Sequence, residues 1–85
     1  MTEPIRYIDF TFLFAEPDEA EAFADDCAEL EYQVEISEYD GDDDRYGWIA
    51  IVTLQMAPHS PPMTAAEVAM RGFATRHGGR YAGWA

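Results

Sequence analysis

No lysine occurs anywhere in the 85 residues, and five arginines face seventeen Asp and Glu for a formal net charge of −12. A surface this anionic repels the phosphates of DNA and RNA and the headgroups of anionic lipid. Direct binding to nucleic acid or to a membrane surface is therefore not expected. Cysteine is nearly absent too. Cys27 stands alone, so the chain cannot close an internal disulfide, and one thiol cannot build a metal cluster. No apolar run approaches the ~20 residues a membrane-spanning helix needs. Glu3 and Asp9 interrupt any hydrophobic start, so no secretory signal is expected and the cytoplasm is the expected location.

Recognisable catalytic and metal frames are missing as well. There is no glycine-rich phosphate loop and no nucleophile elbow around the Ser and Thr residues. His59 and His77 lie on different segments without a second ligand at helical spacing, whereas zinc needs three or four convergent ligands. The run Asp40 to Asp44 invites a calcium reading. Counted from Asp40, however, the sixth and twelfth positions of a calcium loop hold Arg45 and Ile51 instead of Gly and Glu. Cys27 has Asp25, Asp26 and Glu29 as sequence neighbours, the opposite of the positive surroundings that make a thiol reactive. The expectation is a chain that is not an enzyme and takes no cofactor.

What is present suffices for one folded domain over residues 1–85. The chain is 48% hydrophobic, with five Phe, five Tyr and two Trp to fill a core. Residues 7–14 alternate: Ile8, Phe10, Phe12 and Phe14 are uniformly large and apolar, which predicts a strand with one buried face. Pro17 and Asp18 announce a helix, with Asp18 as the expected N-cap and an end near Glu31. Ala20, Phe23, Ala24, Cys27 and Leu30 form its apolar stripe. Residues 32–39 alternate again, and residues 46–56 carry apolar side chains on both faces, as a central strand does. The Asp-rich turn between them predicts a hairpin. Pro58, Pro61 and Pro62 mark residues 57–62 as a loop. Thr64 with Glu67 makes a capping-box pattern for a second helix, and Gly78 and Gly79 end it. Residues 80–84 complete the chain as a short strand.

The order is β-α-β-β-α-β, an α+β arrangement. It predicts a ferredoxin-like fold: a four-stranded antiparallel sheet with two helices on one face and the first and third strands in the middle.

Charge is distributed unevenly along that order. Residues 1–44 carry sixteen acids and one Arg, a net of −15, while residues 45–85 carry one Glu and four Arg, a net of +3. The acids cluster in three places: Glu21, Asp25 and Glu29 on the polar side of the first helix, Glu35 with Asp9 on the open sheet face, and Asp40, Asp42, Asp43 and Asp44 in the turn. These are the candidate contact residues for a protein partner with a basic surface. Alternatives stay open. The acids could serve solubility alone. Ile49 and Ile51 on the second face of the third strand suit a homodimer that binds a small molecule. An acidic immunity protein or nucleic-acid mimic also fits the charge.

Four segments carry a resemblance: DFTFLF at residues 9–14, EYQVEI at 31–36, GWIAIVTLQMAP at 47–58 and HGGRYAGW at 77–84. In this order, and with the GG-x-Y-x-GW ending, the chain resembles the RraB family, the regulators of ribonuclease activity B. The resemblance implies a ferredoxin-like fold. It also implies an inhibitor that binds ribonuclease E through its regulatory scaffold region, with no catalytic residues and no cofactor. On the motif positions His77, Gly78, Gly79, Tyr81, Gly83 and Trp84, the expected role is to shape the fold.

Overall fold

Alternation in the first strand sets the architecture, because four large side chains on one side must be covered. A computed structural model of the chain describes residues 4–41 and 43–85. The elements are β1 (Arg6–Phe14), α1 (Pro17–Glu29), β2 (Gln33–Glu38), β3 (Trp48–Met56), α2 (Pro61–Arg76) and β4 (Arg80–Trp84). The strands lie in the order β2-β3-β1-β4, with every neighbouring pair antiparallel. This is the ferredoxin-like βαββαβ sheet, with β1 and β3 central as expected.

Both helices cover the same face. Ile8, Phe10, Phe12 and Phe14 are fully buried there with Ala50 and Val52 of β3. Ala20, Phe23 and Cys27 of α1 and Met63, Ala66, Met70 and Ala74 of α2 close over them. The Phe23 ring lies 4.7 Å from that of Phe12 and 5.2 Å from that of Phe14, between centroids. This seats the Phe23 ring against both Phe12 and Phe14 in the core. Burial pushes the Cys27 thiol up to about 12, and the neighbouring Asp26 carboxylate adds to the effect. Cys27 is a fully buried core thiol.

The helix starts differ from the sequence expectation. Both prolines of the pair 61–62 lie inside α2, at its first two positions, and Ser60 is the N-cap in place of Thr64. The Ser60 hydroxyl accepts from the Met63 N–H at 3.4 Å and donates to the Ala57 carbonyl at 2.6 Å. The first turn of a helix has no internal partner for its N–H groups, so proline loses nothing there and its fixed φ helps. The same rule moves the start of α1. Pro17 is its first residue and Glu16 its N-cap, with the Glu19 carboxylate accepting from the Glu16 N–H at 3.1 Å. Asp18 is an ordinary first-turn acid, suited to the positive end of the helix dipole.

The helix ends share one motif. In α1 the Tyr32 N–H donates to the Cys27 carbonyl at 3.1 Å and the Glu31 N–H to the Ala28 carbonyl at 2.9 Å. In α2 the Gly79 N–H donates to the Ala74 carbonyl at 2.7 Å and the Gly78 N–H to the Thr75 carbonyl at 3.2 Å. This is the Schellman termination, whose turning residue must take a positive φ. Gly78 has φ 75° and Glu31 has φ 63°. Tyr32 is consumed in this turn, so β2 starts one residue later than its alternation suggests. Tyr46 and Gly47 belong likewise to the turn before β3.

Candidate functional site

A helix places residues four apart nearly above one another. Glu21, Asp25 and Glu29 therefore form a ridge along α1. All three are exposed, on the side opposite buried Ala20, Phe23 and Cys27. Asp18 extends the same ridge by one turn, as its spacing to Glu21 already allows. α1 contains no Lys, Arg or His. Like charges at this spacing cost a few tenths of a kcal/mol per pair, so the ridge works against the helix that carries it.

Three of the five arginines pair with acids elsewhere. Asp26, on the inner flank of α1, has Arg76 Nη1 at 3.5 Å and His77 Nε2 at 2.8 Å, both from the end of α2. Asp43 is held by Arg45, whose Nε and Nη2 donate to its two oxygens at 2.9 Å each. Arg80 of β4 reaches the same carboxylate at 3.5 Å. The Arg45 hydrogen bonds, side chain first and backbone second, hold the Asp43 carboxyl down at about 2. Among the described residues, no ion pair is made by Glu21, Asp25 or Glu29.

The remaining acids are dispersed. Glu35 is exposed on β2, and Asp40 and Asp44 are exposed in the β2–β3 turn. Asp42 lies outside the described residues. Asp43 belongs to the same turn but is committed within the chain. The Asp-rich turn is therefore not a uniform anionic tip. Its contact with Arg80 ties it to β4, the strand at the opposite edge of the sheet from β2. Arg45, two residues after Asp43, was the one visible hint of this clamp.

The residues of the C-terminal motif make contacts within the fold. Gly78 supplies the positive φ that ends α2. A Cβ on Gly79 would stand 2.4 Å from the Phe14 ring. Tyr81 packs its ring 5.0 Å from that of Phe12 and donates its hydroxyl to Glu67 at 2.9 Å. Burial and that carboxylate raise the tyrosine's pKa. Gly83 has φ 108°, beside the register shift where β4 meets β1. Trp84 packs on the core, edge-on to His59 at 5.3 Å. His77 is the C-cap of α2 as well as the neighbour of Asp26.

A family model described as Regulator of ribonuclease activity B, RraB, matches residues 2–85. The chain belongs to the RraB family. Among curated proteins, none matches it. The match covers all six elements, so the RraB fold here is the β2-β3-β1-β4 sheet with its two helices. RraB membership makes the chain a regulator of ribonuclease activity and places it in RNA metabolism. Among the described residues, no group of three His, Cys, Asp or Glu is placed to hold a metal ion, and no helix is long and apolar enough to cross a membrane.

Proposed function

We propose that this chain regulates its ribonuclease by binding the enzyme as a protein partner, through the acidic ridge of α1. The enzyme is of the ribonuclease E type, the effect is inhibition, and the place is the cytoplasm. One observation carries the reading. Three of the four arginines of the second half, Arg45, Arg76 and Arg80, are spent on Asp26 and Asp43, and the fourth, Arg71, lies over the Tyr81 ring, while Glu21, Asp25 and Glu29 make no ion pair among the described residues. A ridge that weakens its own helix and is not neutralised internally suits a basic surface elsewhere. Charge complementarity of this kind speeds encounter and is screened by salt. The acids also keep the chain off the RNA itself, so regulation acts through the enzyme and not the substrate.

The test is RNA cleavage by a purified ribonuclease E-type enzyme with increasing amounts of the chain, at low and physiological salt. Cleavage should slow with the wild-type chain, less so at higher salt. It should recover when Glu21→Lys, Asp25→Lys and Glu29→Lys are combined. Cleavage that ignores the chain, or slows equally with the triple variant, would contradict the proposal.

A further inference from the structure

The helices leave the second face of the sheet uncovered, and the strand register fixes which side chains share it. Ser37, Ile49, Leu13 and Arg80 form one row across the four strands. Glu35, Ile51, Thr11 and Gly83 form the next. Gln33, Thr53 and Asp9 form a third, and Gln55 with Tyr7 a fourth. The two central strands thus present Ile49 and Ile51, both half-buried, and Tyr7, which is 69% exposed.

Two acids straddle this aliphatic centre. Neighbouring strands lie ~4.8 Å apart, so Asp9 on β1 and Glu35 on β2, two strands and one row apart, flank β3 at roughly 12 Å. One oxygen of Asp9 accepts from the Thr53 hydroxyl at 2.7 Å, which fixes the carboxylate on the face and leaves its other oxygen for a cation. Glu35 makes no side-chain hydrogen bond or ion pair among the described residues. The one cation in these rows, Arg80, is drawn to Asp43.

We infer that the open sheet face docks a polypeptide segment that carries aliphatic side chains flanked by Arg or Lys. The aliphatic group seats over Ile49 and Ile51, and the cations meet Asp9 and Glu35. Charge selects this occupant. A second copy of the chain would bring its own Asp9 and Glu35 and a further −12 to the contact. This inference rests on the reading of the chain as a protein-binding regulator, but it concerns a different surface from the α1 ridge.

The probe is a synthetic peptide of alternating Arg and Leu, titrated into isotope-labelled chain and followed by backbone amide NMR shifts. Shifts should concentrate at Asp9, Thr11, Ile51 and Thr53, and binding should weaken roughly tenfold in the Asp9→Asn, Glu35→Gln double variant. An all-Arg peptide should bind more weakly, and a Glu-Leu peptide should leave the spectrum unchanged. Shifts confined to α1, equal binding by the all-Arg peptide, or no shifts at all would overturn the inference. So would a concentration-dependent change at Ile49 and Ile51 without peptide, since a second copy would then cover the face. Binding of the ribonuclease is measured separately. If the peptide docks and the enzyme does not, the proposed target fails and this face stands; the reverse result sinks the face alone.

Discussion

α1 and α2 cover the same face of the same sheet and end in the same hydrogen-bonded motif, yet their outer sides differ completely. α2 shows Ala65, Val68, Arg71, Gly72 and Thr75 to solvent, and its single acid, Glu67, is engaged by the Tyr81 hydroxyl. α1 shows Asp18, Glu21, Asp25 and Glu29 with no cation of its own. The ends differ in the same sense. α2 turns on Gly78, which takes a positive φ without strain, and α1 turns on Glu31, which does not. Packing explains the inner sides of both helices. It does not explain why α1 keeps acids at positions where they cost stability, and the partner surface proposed above does.

The comparison can be broken first at the inner sides, where the helices should behave alike. Phe23→Ala on α1 should cost about 3–5 kcal/mol and Met70→Ala on α2 about 2–5 kcal/mol, read by chemical denaturation. A loss under 1 kcal/mol at either site would mean that helix is not part of the core. At the exit of α2, Gly79→Ala sets a methyl against the Phe14 ring and should cost about 1–3 kcal/mol. Gly78→Ala, strained by its φ and set 2.9 Å from the end of the Glu19 side chain, should cost about 1 kcal/mol. The exit of α1 sharpens the contrast. Glu31→Gly should raise stability by about 0.5–1 kcal/mol, since glycine relieves the left-handed strain. No gain there would remove the claim that Glu31 is held at a cost. The smallest effect belongs to the ridge. Glu21→Gln, Asp25→Asn and Glu29→Gln together should leave the fold intact and change stability by no more than about 0.5 kcal/mol, upward.

Much of this was legible in the residues. The uniform Phe and Ile positions of β1 announced its buried face, and the element order announced the sheet. The acids of α1 fell on its exposed side because helical spacing is a local property. The helix N-caps lie two and four residues before the expected Asp18 and Thr64, because a helix's first turn tolerates proline at Pro17, Pro61 and Pro62. What stayed hidden was long-range pairing. Nothing local reveals that Arg80 reaches Asp43, or that Arg76 and His77 turn toward Asp26. Those contacts decide which acids remain free. The open-face rows were hidden for the same reason, since register is a property of pairs of strands.

The most direct test is the association rate between the chain and a purified ribonuclease E-type enzyme, measured across a salt series for wild-type and the Glu21→Gln, Asp25→Asn, Glu29→Gln variant. The account predicts a slower on-rate for the variant at low salt and a shallower dependence on salt, with the fold unchanged. Identical rates and identical salt dependence in the two chains would contradict it.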